Sequence, residues 1–216
     1  MSKLYPDSGV EVQGLAARYY DQIMNGMSLG LYPRFIRSAV EKMNIQSEDQ
    51  ILDLGCGTGR NSLLMHRHLG EKGQVVGMDI SPIMENQFRK NTRDFHGVSF
   101  RRQRVDVPFT FDHRLDKVLM SFVIHGFPHE IRLRAIENIH RNLKPGGSLF
   151  ILDFAEFSLA DMPVFYRLPF KAIECKYAFD YIERDWKEIL RGYGFDKFEE
   201  HFWFRNYVRL LRAQKK

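Results

Sequence analysis

Short apolar runs alternate with amphipathic stretches along most of this chain. The runs Gln50–Leu54, Gln74–Asp79, Val98–Arg102, Lys117–Phe122 and Ser148–Phe154 read as strands. The stretches Gly59–Leu69, Pro82–Asn91 and Pro128–Leu143 between them read as helices. Strand and helix in regular alternation predict a parallel α/β sheet. Between Pro128–Leu143 and the fifth strand, Lys144-Pro145-Gly146-Gly147 predicts a turn, since Pro halts a helix and the glycines permit the bend.

The two ends of the chain depart from this rhythm. Val12, Leu15, Ala16, Tyr19, Tyr20 and Ile23 recur at three- and four-residue spacing, one apolar stripe of a helix. Gly26 and Gly30 break it, and a second helix is predicted from about Pro33 to Met43. Near the other end, Asp185–Tyr193 predicts a helix closed by Gly194. Lys197–Phe204 and Tyr207–Ala213 then predict a hairpin turning at Arg205-Asn206. Residues 154–183 are the least regular part, dense in Phe and Tyr and interrupted by Pro163 and Pro169. Following the fifth strand, they belong at the carboxyl end of the sheet, where open α/β folds bind ligands. Two readings stand for them: a cap over a substrate, or a packing or dimer surface.

Candidate chemistry concentrates in Ile51-Leu52-Asp53-Leu54-Gly55-Cys56-Gly57-Thr58-Gly59, followed after about twenty residues by Val75-Val76-Gly77-Met78-Asp79-Ile80-Ser81. A strand runs into a glycine loop that opens a helix, and a second strand ends on a carboxylate. Backbone without Cβ atoms approaches a ligand closely, and the helix start directs unpaired N–H groups at the same spot. The spacing is G-x-G-x-G, whereas a dinucleotide loop is usually G-x-G-x-x-G. Asp53 repels a pyrophosphate but suits an ammonium group through a charge-assisted hydrogen bond. Asp79 ends its strand where both ribose hydroxyls of an adenosine can be gripped. The pattern favours S-adenosylmethionine over a nicotinamide dinucleotide.

On these residues the chain resembles the class I S-adenosylmethionine-dependent methyltransferases, whose first motif reads acid-x-G-x-G-x-G after a strand. The resemblance covers most of residues 15–155 and is nearest to the ubiquinone/menaquinone biosynthesis branch and its small-molecule relatives. It is carried by Arg18-Tyr19-Tyr20-Asp21, Asp79-Ile80-Ser81 with Met84, Pro108-Phe109, Leu115-Asp116 leading to Ser121-Phe122, and Leu143-Lys144-Pro145-Gly146-Gly147. It implies a doubly wound, mostly parallel seven-stranded Rossmann-like sheet with one reversed strand. Within one structural domain, residues 1–44 form an N-terminal helical cap and 45–216 the methyltransferase domain, with a cap insertion at about 154–183.

Site residues follow. Backbone from Gly55 through Cys56 and Gly57 to Gly59 takes the methionine moiety, Asp53 its ammonium, and Arg18 is a candidate for its carboxylate. Asp79 takes the ribose, Ile80 and Met84 flank the adenine, and Val105 and Asp106 are placed at its edge. Ser121 and Phe122 end the fourth strand beside the sulfonium. Tyr19, Tyr20 or Phe127 are candidates to face that cation, a contact of ~0.5–2 kcal/mol. Tyr20 and His125 are assigned to the reaction centre. His125 follows the fourth strand and is either a general base or a histidine bonded to a neighbouring loop.

Composition narrows the picture a little further. Hydrophobic residues make up 44% and charged residues 27%, values of a globular chain rather than a disordered one. No apolar run reaches the ~20 residues that cross a bilayer, and no secretory signal is visible. Cys56 and Cys175 are the two cysteines, far apart, so a reducing cytoplasm is expected. His66 and His68 point to different helix faces, and Pro128 separates His125 from His129, so no metal site is expected. The net charge of +5 raises nucleic acid, but no recognition helix or aromatic RNA motif accompanies it. The expected function is methyl transfer to a small, apolar or aromatic acceptor at O, N or C, by a monomer or homodimer. An RNA-modifying methyltransferase and a non-catalytic cofactor-binding partner subunit are the alternatives.

Overall fold

Five strands of a computed structural model, which describes residues 31–216, run parallel: β1 (Gln50–Leu54), β2 (Gln74–Asp79), β3 (Val98–Arg102), β4 (Leu115–Ser121) and β5 (Leu143–Phe154). A closing hairpin, β6 (Phe195–Trp203) and β7 (Val208–Lys215), completes the order β3-β2-β1-β4-β5-β7-β6. β7 is antiparallel to both neighbours, so it is the reversed strand the resemblance implies. Around the sheet lie α1 (Leu31–Glu41), α2 (Arg60–His66), α3 (Pro82–Thr92), α4 (His129–Asn142), α5 (Val164–Ile173), α6 (Lys176–Ile182) and α7 (Trp186–Gly192). The predicted helix through Arg18, Tyr19 and Tyr20 falls outside the described residues.

Alternation along each strand feeds two cores. Leu52, Leu54, Val118, Met120, Leu149, Ile151 and Leu211 face one layer with α4, α6 and α7. Ile51, Leu119, Phe150, Leu152 and Leu210 face the other with Phe35, Ile36, Ala39, Val40 and Met43 around α1. Strands buried on both faces read as unbroken apolar runs, which is why their ends are visible in the sequence. Burying each such side chain contributes ~1.5–3 kcal/mol.

Two segments differ from expectation. Residues 144–147 do not separate helix from strand: β5 already pairs at Leu143 with Leu115, and the ladder slips before resuming at Ser148 against Lys117. The irregular 154–183 stretch contains α5 and α6. Helix α5 even holds Pro169 in its interior, and none of its residues is buried. A proline there removes one intrahelical bond, a smaller loss where the freed carbonyl meets water.

Candidate active site

The ends of β1 and β2 are tied by the glycine loop. Gly55 N and Cys56 N both donate to the Met78 carbonyl, at 2.8 and 3.2 Å. Gly57 N donates to Asp79 Oδ2 at 3.0 Å, while Ser81 N donates to Asp79 Oδ1 at 2.9 Å. Asp79 thereby fixes the loop and the start of α3, where the Ser81 hydroxyl accepts from Met84 N as N-cap. Gly57 has φ +51°, and a Cβ built on it meets nothing nearer than Met84 Sδ at 4.0 Å. The bare backbone therefore borders open space on the Met84 side, a cradle that a ligand can use.

Below the loop, Asp53 is buried and accepts from Ser62 Oγ at 2.6 Å. Burial pushes its pKa from 3.8 up to about 7, with the nearby Asp79 charge adding to the rise and Ser62 opposing it. No cation touches Asp53 among the described residues. A cationic ammonium arriving there offsets the cost of ionising this carboxylate, so the residues present fit the amino-acid end of S-adenosylmethionine. Cys56 is buried too, and desolvation beside Asp53 and Asp79 pushes its thiol well up, which leaves it unreactive.

At the ends of β4 and β5 the chemistry is carried by side chains. His125 Nδ1 bonds Asp153 Oδ1 at 2.7 Å, with Asp153 fully buried at the end of β5. Asp153 also accepts from Phe154 N at 2.8 Å, so it cannot swing away without losing two partners. His125 Nε2 lies 3.7 Å from Glu174 Oε2, which comes from the residue after α5. Burial lowers the imidazole's pKa, but the Asp153 charge and hydrogen bond, with Glu174 beyond, outweigh it and hold the pKa above its ordinary value. Burial likewise raises the Glu174 carboxyl, against the opposing pull of His125.

Arg132, fully buried on α4, staples the turn that carries the histidine. Its Nε donates to Ile124 O at 3.0 Å and its Nη2 to His125 O at 2.9 Å. Its Nη1 reaches Asp180 Oδ2 on α6 at 2.6 Å. The two halves of the site then meet at Gly55, where φ is +79°. An added Cβ there would lie 2.3 Å from Val123 Cγ2, so the histidine turn rests directly on the glycine loop. Phe122, between them, adopts φ +52°, a left-handed conformation costing an aromatic residue ~1–3 kcal/mol. Its N–H bond to Leu152 O at 2.9 Å and ring contacts with Phe35 and Phe154 hold it there.

The sequence-predicted residues divide accordingly. Asp53, Gly55, Cys56, Gly57, Gly59, Asp79, Ile80 and Met84 gather at the ends of β1 and β2, and Ser121, Phe122 and His125 at the end of β4. Val105 is buried in the core, its carbonyl bonded by Asn138 at 2.9 Å. Asp106 is clasped by the Arg104 guanidinium at 2.7 and 3.0 Å. Phe127 is buried in the core. Tyr20, Tyr19 and Arg18 lie outside the described residues. Sequence reasoning missed Asp153, Glu174 and Arg132. Asp153 carried a signal, a carboxylate closing an apolar strand just as Asp79 does. Arg132 carried another, a charge in line with Ala135, Ile136 and Ile139 on the inner face of α4.

Comparison with known proteins bears on this arrangement. A family model described as a methyltransferase domain matches residues 51–147. A demethylmenaquinone methyltransferase of Staphylococcus saprophyticus is 29% identical over 158 residues, covering 71% of this chain and 65% of the relative. The ubiquinone/menaquinone biosynthesis C-methyltransferase UbiE of Coxiella burnetii is 29% identical over 176 residues, covering 80% and 66%. This chain thus spans about two thirds of the length of these curated relatives. A SAM-dependent methyltransferase from Aquifex aeolicus superposes with a TM-score of 0.62 at 18% identity, covering 84% of this chain and 89% of that one, a likeness of fold. With the acid-glycine loop at β1, the strand-end Asp79 and the reversed β7, the chain carries a methyltransferase domain over residues 51–147 and is similar to the class I S-adenosylmethionine-dependent methyltransferases.

Proposed function

We propose that this protein transfers a methyl group from S-adenosylmethionine to a small, apolar or aromatic acceptor at oxygen, nitrogen or carbon, with His125 as general base. The observation that carries the reading is the contact of Val123 with Gly55, which sets the His125–Asp153 pair against the donor loop. Two relatives named for quinone substrates or quinone biosynthesis support an acceptor of that apolar kind.

When bound, S-adenosylmethionine supplies a sulfonium methyl group open to in-line displacement. Asp53 holds the ammonium, Asp79 the ribose hydroxyls, and backbone from Gly55 to Gly59 the methionine chain, with Ile80 and Met84 against the adenine. Asp153 keeps Nδ1 of His125 protonated, which leaves Nε2 to take a proton from an acceptor hydroxyl, amine or acidic carbon. That proton transfer contributes a factor of ~10²–10⁴. Phe122, Phe154 and Phe170 wall the centre with apolar rings and keep water out. Their contacts run in series, His125 to Phe154 at 5.1 Å and Phe154 to Phe170 at 5.0 Å. Tyr20 remains assigned to the reaction centre by sequence alone.

The test is transfer of labelled methyl groups from S-adenosylmethionine to a panel of quinols, phenols and aromatic amines. Label in the organic phase, lost in His125→Asn, is the expected result. Label in RNA instead would replace the small acceptor with nucleic acid. Binding of S-adenosylhomocysteine with no transfer to any acceptor would point to a partner subunit without turnover.

A further inference from the structure

Helix α5 turns more apolar surface to water than to the protein. Val164, Phe165, Leu168 and Ile173 are 54%, 65%, 61% and 67% exposed, and none of its ten residues is buried. A helix docked on a core normally does the reverse. Its inner edge is held by Phe170, whose ring meets Phe154 at 5.0 Å and Phe157 at 5.8 Å. At the tip of the β6–β7 hairpin Phe204 is exposed as well, and the Arg205 guanidinium lies 5.8 Å over the Tyr166 ring, so tip and helix adjoin. The helix contains no acid; its charges are Arg167 and Lys171, and Lys176 follows at the start of α6.

We propose that α5, with the hairpin tip Phe204–Arg205, docks this protein on an anionic lipid bilayer surface and opens the acceptor side of the site toward the membrane. The inference rests on the apolar acceptor proposed above. Exposed aromatic and aliphatic side chains together with basic ones are the composition of helices that lie in the plane of a bilayer. Charge favours this occupant over a second copy of the chain. A two-fold pairing through α5 sets Arg167 and Lys171 of one copy near the same two basic residues of the other, whereas anionic headgroups attract each of them. Position favours it too, because Glu174, the residue after α5, lies 3.7 Å from His125. Lifting an apolar tail from lipid into water is unfavourable for every CH₂ exposed, a cost that docking beside the reacting imidazole avoids.

Flotation of the full chain with vesicles tests this directly, without cofactor or acceptor. Vesicles of phosphatidylcholine containing about a third phosphatidylglycerol should carry the protein, pure phosphatidylcholine much less of it, and raised salt should weaken binding. Phe165→Asp combined with Leu168→Asp should lower the bound fraction at least ~tenfold, and Lys171→Glu a few-fold. Unchanged S-adenosylhomocysteine affinity and unchanged thermal unfolding would show that these variants stay folded. The proposal is overturned if the full chain ignores anionic vesicles or if the double variant floats equally well. It is also overturned if the chain forms a dimer that the double variant splits. Vesicle binding without methyl transfer to apolar acceptors would keep the docking surface and remove the acceptor reading; transfer without vesicle binding would do the opposite.

Discussion

The donor half of the site, at the ends of β1 and β2, and the acceptor half, at the ends of β4 and β5, are built from different materials. The donor half is mostly backbone: Gly55, Cys56 and Gly57 donate N–H groups to Met78 O and Asp79, all within thirty residues of sequence. The acceptor half is mostly side chains, His125 with Asp153 across the ends of β4 and β5 and Arg132 with Asp180 at a separation of 48 residues. Its outer wall, α5, has no buried residue at all. Backbone on rigid strands suits a ligand that every turnover brings in the same form. A loosely packed wall can be re-shaped for a new acceptor without disturbing the donor cradle, since few buried contacts are lost.

If the halves are separable, substitutions should split binding from turnover. The largest effect is expected at His125. His125→Asn should lower kcat by ~10²–10⁴ while S-adenosylhomocysteine affinity, measured by titration calorimetry, stays unchanged. Loss of affinity along with kcat would mean that the imidazole serves the donor loop and the division fails. Asp79→Ala should do the converse. A hydrogen bond to a charged group is worth ~1.5–3 kcal/mol, so the dissociation constant should rise about 10–100-fold. Because Asp79 also receives Gly57 N and Ser81 N, the loop loosens with it. Asp79→Asn, which keeps acceptor capacity, should recover part of the loss.

The contrast also explains what the sequence discloses. β1 and β2 begin and end where the apolar runs do, because each is largely buried and stops at a turn. β3, at the sheet edge with no buried residue, is bounded by turns alone. The donor loop is equally legible: Asp53, the glycines and Asp79 are tied together by strand pairing between neighbours in sequence, Leu54 with Met78 and Asp53 with Gly77. On the acceptor side His125 is identifiable as a polar residue after β4, but its partner is not. Asp153 reaches it through the β4–β5 ladder, Ser121 opposite Leu152, a register that no local pattern reports. Helix α5 is hidden for a different reason. Pro163 and Pro169 argue for a break, and the helix is only ten residues long, too short for its periodicity to outweigh them. Glu174 is invisible for the same reason, since its approach to His125 depends on where α5 ends.

Asp53 sharpens the donor half through pH. Its carboxyl, ordinarily at 3.8, is pushed up to about 7, so the folded free protein holds a proton that the unfolded chain releases earlier. Stability of the free protein should therefore fall as pH rises between these two values, the penalty being complete above about 7. An ammonium placed beside Asp53 requires the ionised form. Below about pH 7, S-adenosylhomocysteine affinity should then rise by up to ~tenfold per pH unit, with a proton released to the buffer. Calorimetry at pH 6 in buffers of different ionisation enthalpy reads that proton. Asp53→Asn should abolish its release, and a proton count of zero in the unaltered protein would separate Asp53 from the ammonium.

The smallest effect, and the finest probe of the acceptor half, is expected from Glu174. Burial lowers the His125 pKa, and the Glu174 carboxylate is one of the charges that, with Asp153, outweigh that burial and hold the pKa up. A general base acts in its neutral form, so kcat/KM should rise with pH through the His125 titration. Glu174→Gln removes one stabiliser of the imidazolium and should move that acid limb to lower pH. Just below the limb the variant is then faster than the parent, the opposite of what damage produces. On the plateau above it the two should be nearly equal, because Asp153 still orients Nδ1. If Glu174 only packs the end of α5, its replacement scales the whole profile down and leaves the midpoint where it was. A moved midpoint with an intact plateau makes it a positioning residue of the base; a fixed midpoint leaves the acceptor half resting on Asp153 and Arg132 alone.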